Sequence, residues 1–563
     1  MSHIGLVAIG VTALALAPGR PAAAAFPPAV ESATGMVVTA QAIASDVGAA
    51  ILRAGGNAVD AAVAVGYAES VVNPCCGNLG GGGFMVIHLA GGRDTFINFR
   101  EMAPAAASAD MYLDAAGKVI PHASLIGWKA VAVPGTVQGL DTALREYGTM
   151  PRTQVMAPAI RLARDGFTLT RGDTEILDSK AAAFRARPEL AQIFLRPDGT
   201  PLQPGDVLVQ AALAATLEAI VRDGPDAFYR GRIPADIEAA SRAAGGIITA
   251  ADLAAYHATE SPPLSCTYRG YVVLSTPPPS SGGTTMCEIL NILEGYDMSA
   301  LGFHSAQAGH VMTEAMRHAY LDRNTQLGDP AFVHNPLGRL LSKQYAAAIR
   351  AAILPDRATP SAALGPATAP HEGGETTHYS IADRAGNAVS VTYTINALFG
   401  ALVMADGFLL NDEMDDFTAK PGVPNLFGLV QGTANAIAPG KRPLSSMAPS
   451  LVMRDGHVAM VVGSPGGSRI ITITLETIMN MIDYGMAPGA AVDAPRIHHQ
   501  WLPDKLYAEP LALSPDTQRL LAGMGYDVVT QAPWGAAELI AIDRGRFYGA
   551  NDARRPAGAA VAP

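Results

Sequence analysis

In the stretch HEGGETTHYS (residues 371–380), Thr376 and Thr377 follow Glu375 where a Pro/Ala/Gly-rich tract gives way to residues that alternate like a β-strand. A threonine hydroxyl is a weak nucleophile until a base takes its proton. A cut between Glu375 and Thr376 supplies that base. It frees the α-amine of Thr376, whose ordinary pKa of about 7.7–8 leaves a useful neutral fraction near neutral pH. In the uncut chain the same nitrogen is an amide, which is not a base, so the cut is an activation step. The Thr376 hydroxyl can make the cut itself by attacking the preceding carbonyl, an N→O acyl shift. Taken alone, a Thr-Thr pair at a strand start is ordinary, because threonine favours strands. The surrounding elements decide between the two readings.

TTHYSIAD and NAVSVTYTIN flank RAGN, a hairpin signal that lets Thr394 on the second arm face Thr376. Further on, SLVMRD and HVAMVVG read as strands and ITITLETIMNMIDYG (471–485) as a helix. The turn GSPGGS (463–468) joins strand to helix, and Gly466 and Gly467 can aim bare backbone N–H groups at a developing negative charge. Upstream, Ser45 is expected to cap one helix, ended by Gly55–Gly56, and Asn57 to cap a second, AVDAAVAVGYAESVV. Their Ala/Val content suits close packing on a sheet. FMVIHLA (84–90) and DTFINF (94–99) read as strands joined by GGR, and helices are expected at 136–147, 154–163, 210–221 and 288–293. Residues 353–375 lack periodicity and read as an exposed, mobile linker. Helices with antiparallel hairpins give a layered α+β architecture.

The chain has 563 residues, 49% hydrophobic and 16% charged, which fits a large packed core and argues against disorder. Net charge is −11 and no Lys/Arg cluster stands out, so no nucleic-acid partner is expected. Residues 1–25 read as a cleavable secretory signal, with an apolar run too short to span a bilayer and an n-region, MSHI, lacking Lys or Arg. Export to the periplasm or beyond follows, with no membrane span in the mature chain. Export permits disulfides. The adjacent Cys75–Cys76 is nevertheless an awkward bridge, and Cys266 and Cys287 lie in unrelated segments, so buried free thiols are expected. No spacing suggests a metal site.

TTHYSIADRAGNAVSVTYTIN, with GNLGGGGFMVI (77–87), NFREMAP (98–104), YGTMP (147–151), PPPSSGG (277–283), NDEMDDFTAKPGVPN (411–425), KRPLSSMAPS (441–450) and GSPGGSRII (463–471), resembles the γ-glutamyltransferases (γ-glutamyl transpeptidases), N-terminal nucleophile (Ntn) hydrolases. The likeness covers nearly the whole mature chain. It implies a four-layer αββα sandwich, self-cleaved into a large subunit, 26–375, and a small one, 376–563. It also implies a γ-glutamyl-enzyme ester on Thr376 that passes to water or to an amino acid or peptide acceptor. By the same resemblance Thr394 bonds to the nucleophile and Gly466 and Gly467 form the oxyanion loop. Arg100, Ser445 and Ser446 hold the substrate α-carboxylate, Asp416 takes its ammonium, and Asn396 and Glu413 add polar contacts. Family members carry Gln or Glu at the position of Glu413. KPGVPNLFGLVQG (420–432) resembles the lid over the pocket; Phe427 stands where some bacterial relatives have tyrosine, so a lid hydrogen bond is lost and the lid is expected to open more readily. No cofactor or metal is implied. The expected partners are glutathione-like γ-glutamyl compounds and acceptors, and the two subunits form a heterodimer.

Rivals remain. A cephalosporin (glutaryl-7-aminocephalosporanic acid) acylase shares this scaffold, but glutaryl lacks the α-ammonium that Asp416 would meet. Capsule poly-γ-glutamate processing is another, though the lid would obstruct a polymer. From a different class come an uncleaved, inactive binding homologue and a phosphate cradle built on GNLGGGGF, which lacks the GxGxxG order.

Overall fold

The computed structural model describes residues 26–365 and 376–563. The expected secretory signal (1–25) and Glu375 lie outside the described residues. Two seven-stranded antiparallel sheets form the centre. The first runs in the order Ala559–Val561, Gly35–Thr39, Thr377–Asp383, Ala388–Thr394, Gly82–His88, Asp94–Phe99, Thr259–Ser261. The second runs Val30–Ser32, Arg546–Asn551, Glu538–Asp543, His457–Gly463, Ser450–Arg454, Tyr271–Ser275, Leu264–Tyr268. The arms of the expected hairpin are thus the third and fourth strands of the first sheet, flanked on both sides by strands from before residue 100.

Side-chain alternation along each strand builds three cores. Met36, Val38, Phe84 and Val86 meet Leu451, Val461 and Ile540 between the sheets. Val37, Met85, Ile87, Tyr379 and Val391 point the other way, onto helices 42–53, 58–72 and 136–147. The outer face of the second sheet is covered by helices 282–293 and 470–482, with helix 306–326 packed against the first of them. Helix, sheet, sheet and helix are the four layers of the expected sandwich. The helix Ala58–Val72 is buried along its whole length, and its small residues let it lie close to the hairpin: the Tyr393 hydroxyl donates to the Gly66 carbonyl at 2.9 Å. As expected, Asn57 caps it, in a reciprocal capping box with Asp60.

Three expectations are overturned. Ser45 is not a cap. The helix spans Ala42–Arg53, Gln41 caps it by accepting from Ile43 N, and the Ser45 hydroxyl donates to the Ala559 carbonyl at 2.7 Å, tying the helix to the C-terminal edge strand. The described part of the supposed mobile linker, residues 353–365, is mostly exposed as expected but is pinned at two points: Ala358 N donates to Met524 O at 2.8 Å, and Ser361, fully buried, donates to Trp501 O and accepts from Arg317. The cysteines are not free thiols; Cys75–Cys76 and Cys266–Cys287 are bonded. Folding brings Cys266, on a strand of the second sheet, within 6.0 Å (Cα–Cα) of Cys287, on the helix packed over it.

Because Cys266–Cys287 closes a loop of 21 residues, its removal frees the unfolded chain and costs about 3 kcal/mol. A Cys266→Ser/Cys287→Ser variant is expected to unfold at lower denaturant, with a somewhat steeper denaturant slope because its unfolded chain is less compact, and with unchanged turnover. An unmoved midpoint would show that the bond contributes nothing.

Among the described residues no helix is long and apolar enough to cross a membrane.

Candidate active site

Thr377 pairs with Tyr393 across the hairpin, so the register extends to set Thr376 opposite Thr394 at its open end. Alternation turns Thr377 and Tyr379 toward the helices, and Thr376 and Thr394 toward the second sheet. Thr394 Oγ1 accepts from Asn396 N at 2.8 Å. Asn396 has φ +74°, a left-handed conformation that asparagine tolerates. Its amide donates to Asp412 O at 3.1 Å, drawing the segment of Glu413 and Asp416 beside the hairpin.

The second sheet approaches through His378. Its ring fills the space beside Gly463, where a Cβ would lie 2.2 Å from the imidazole. It bonds Thr392 Oγ1 and Ser380 Oγ at 2.8 and 3.1 Å, and burial lowers its pKa to about 3. His378 is therefore neutral packing between the sheets and no base. Beyond Gly463 the chain enters the glycine turn with Gly466 at φ +136° and Gly467 at φ +57°. A Cβ on Gly467 would strike the Phe427 ring at 2.3 Å, so only glycine fits beneath it. Among the described residues neither the Gly466 nor the Gly467 N–H donates to a protein acceptor.

Thr376, Thr394, Asn396, Arg100, Glu413, Asp416, Ser445, Ser446, Phe427 and Gly467 line one cavity. Its volume of about 20 Å³ is room for about one water, so the walls must part to admit a substrate. Gly466 instead lines a neighbouring groove of about 700 Å³ that shares the Phe427 wall. Phe427 is buried, its carbonyl accepts from Gln500 at 3.1 Å, and the adjacent Leu426 N donates to Asp415, so the loop that carries it covers the cavity and is tied down at its backbone.

Arg100 is fully buried, which excludes a surface ion pair with Glu101. One guanidinium nitrogen meets Glu413 and the other meets Asp416. Glu101 stands 3.4 Å away, and Nε donates to Pro443 O. The second cation is Arg323, which donates to Ser446 Oγ and Ser281 Oγ, both at 2.9 Å; burial lowers its pKa to about 10, leaving it charged. Burial pushes Glu101 up to about 7 against the pull of Arg100. It drives Glu413 well above the carboxylate range, with Glu101, Asp416 and Asp412 adding repulsion.

These raised carboxyls set a sign. Between the unfolded carboxyl pKa and the raised folded one, the unfolded chain has released a proton the folded chain still holds. Stability therefore falls as pH rises through that window. Relative to wild type, Glu413→Gln is expected to gain thermal stability as pH goes from about 5 to about 8. Melting curves at both ends check it; a pH-independent difference removes it.

Arg323, His378 and Glu101 carry structural weight at this site that the motifs did not assign. Arg323 is one of several charged residues on the helix Ala306–Gln326, and only its buried contacts single it out by its hold on Ser446. Among the described residues no group of three or more His, Cys, Asp or Glu side chains could hold a metal ion.

The Gamma-glutamyltranspeptidase family profile matches residues 44–562. The chain is 57% identical to the glutathione hydrolase proenzyme of Pseudomonas sp. (strain A14) over 94% of its own length and 95% of the relative's. It is 50% identical to the glutathione hydrolase proenzyme of Escherichia coli (strain K12) over 93% and 91%. Its fold is similar to the crystal structure of a cephalosporin acylase from Bacillus halodurans, with a TM-score of 0.85 and 26% identity over 98% of this chain and 99% of that one. With the four-layer fold and the threonine hairpin, these matches settle the family: the chain belongs to the γ-glutamyltranspeptidases, enzymes of the Ntn-hydrolase superfamily.

Proposed function

We propose that the chain is made as an exported proenzyme in which Thr376 cuts its own bond to Glu375, and that the resulting chains, 26–375 and 376–563, act together as a glutathione hydrolase and γ-glutamyltransferase. The interleaved first sheet supports a lasting heterodimer, since the N-terminal hairpin of the small chain lies between two strands of the other chain. The freed amine takes the proton of Thr376 Oγ, which attacks the γ-carbonyl. The Gly466 and Gly467 N–H groups receive the oxyanion, the amine product leaves, and water or an acceptor amine takes the γ-glutamyl group from the ester.

The observation that carries this reading is the convergence of a hydroxyl nucleophile, a buried guanidinium and buried carboxylates on one cavity. A γ-glutamyl group brings both charges needed to replace the internal ion pairs. Its α-carboxylate takes over Arg100 with Ser445 and Ser446, and its ammonium takes over Asp416 and Glu413 with Asn396. The closed cavity then opens by exchange, at little electrostatic cost. Glutaryl brings the carboxylate alone and leaves the two acids unpaired, which disfavours the acylase reading. The groove beyond Phe427 and Gly466, walled by Arg469, Gln531, Tyr507 and Trp534, lies on the leaving-group side and receives the amine product or the acceptor.

N-terminal sequencing of the purified protein, paired with rates on γ-glutamyl and glutaryl anilides, tests the proposal. A chain beginning Thr-Thr-His-Tyr-Ser is expected, with the γ-glutamyl compound favoured by about 10²-fold or more, the usual effect of stranding buried polar groups. An active but intact chain refutes the processing scheme, and equal rates on the two anilides point to the acylase.

A further inference from the structure

Under the hairpin lies a carboxyl group that the chemistry above does not use. Glu69 sits on the fully buried helix Ala58–Val72. Its Oε2 accepts from Asn73 Nδ2 at 2.9 Å and from the Thr377 hydroxyl at 3.4 Å. Asn73 Nδ2 also donates to Thr377 Oγ1 at 3.2 Å, closing a triangle. The other oxygen, Oε1, is buried without a hydrogen-bond partner. A half-satisfied buried carboxyl costs stability and calls for a reason.

The geometry points to one: we infer that Glu69 is a positioning residue for the nucleophile, anchoring Thr377 and thereby the new chain end at Thr376. The inference rests on Thr376 being the N-terminal nucleophile. Once the bond to residue 375 is cut, Thr376 is the first residue of its chain, and chain ends fray unless tied down. Thr377 is the first residue held by the sheet, opposite Tyr393. Its side chain points away from the catalytic cavity into the triangle, so the hydroxyl that fixes the end does not compete with the one that reacts. Gly77 closes the pocket around it, since a Cβ there would meet the Thr377 methyl at 2.6 Å and the Tyr393 ring at 2.5 Å.

The anchor also carries charge. Tyr379 and Tyr393 face Glu69 from the hairpin, Glu538 from the second sheet and Arg555 from the C-terminal segment. Burial pushes Glu69 up to about 7, against hydrogen bonds from Asn73 and Thr377 and the weak pull of Arg555. When Glu69 is ionised, its charge favours the ammonium form of the nearby Thr376 amine and holds that amine's pKa up. Removing the charge therefore moves the acid limb of the turnover profile to lower pH.

Two variants of the full-length, self-processed protein separate anchor from charge. Thr377→Val keeps shape and loses the hydroxyl. Its kcat for a γ-glutamyl anilide is expected to fall about tenfold to a hundredfold, the scale of a slightly misplaced nucleophile, with KM unchanged because Arg100 and Asp416 are untouched; Thr377→Ser restores kcat. Glu69→Gln keeps an acceptor oxygen and loses the charge, and its acid limb is expected to shift downward. Wild-type kcat in Thr377→Val, or an unmoved acid limb in Glu69→Gln, overturns the inference. Sequencing each preparation keeps the two levels apart. A wild-type protein without a terminus at Thr376 fails the proposed function itself, whereas a correct terminus with unaffected variants fails only the role of Glu69.

Discussion

Thr376→Ala yields one uncut chain and loses turnover by about 10⁴-fold or more, the scale seen when a hydrolase loses its nucleophile. Two losses coincide in this variant. The missing hydroxyl cannot attack the preceding carbonyl, so the α-amine is never freed, and it cannot attack a substrate either. The fold is expected to survive, because the change removes two atoms at the edge of a cavity while the hairpin ladder from Thr377 to Ala382 remains. Thr376→Ser keeps the hydroxyl and is expected to cut and turn over more slowly. A denaturing gel with a γ-glutamyl-anilide assay checks both: wild type gives fragments of roughly two thirds and one third of the precursor, and Thr376→Ala a single band. Turnover by an uncut Thr376→Ala protein would remove Thr376 from the chemistry.

What the sequence made legible was local. RAGN between two β-patterned runs specified the hairpin, which lets Thr394 on the second arm face Thr376, and the register of the ladder bears this out. Asn57 announced its helix because a capping box is complete within four residues. The helix Gly282–Leu293 was recognisable only from Glu288 onward. Its opening, GGTTMC, has poor helix propensity, and complete burial under Met447 and Ala448 overrides that preference. Cys266 and Cys287 showed nothing in sequence because their proximity is made by a strand packing under a helix. The site residues were named by resemblance to a family, but their mutual arrangement was not. That the carboxylates of Glu413 and Asp416, more than 300 positions away, close on Arg100 is a product of the sandwich and of the turn at Asn396. Glu69 and Arg323 were hidden for a related reason: each is one of several polar residues on a packed helix, and its meaning lies in what it meets.

In the proposed function, binding and stability depend on the same group at Arg100, and Arg100→Met tests both. Methionine fills much of the volume but leaves Glu101, Glu413 and Asp416 facing one another without their cation. Breaking a buried pair in this way costs about 3–5 kcal/mol near neutral pH. The acids can escape by taking up protons, so the destabilisation is expected to shrink as pH is lowered. This is the opposite of a simple cavity defect, whose cost does not follow pH. Catalytically, the substrate carboxylate loses its bidentate partner, and kcat/KM is expected to fall about 10²- to 10³-fold, in line with losing one side of a buried charge pair. Self-cleavage should persist, because Thr376 and the glycine turn are not held by Arg100. Arg100→Lys keeps the charge but not the fork, and is expected to recover most of the stability and little of the affinity. Melting curves across pH, with kinetics on the processed protein, separate these outcomes. If Arg100→Met binds γ-glutamyl compounds as tightly as wild type, the carboxylate is held elsewhere and the exchange of ion pairs does not open the cavity.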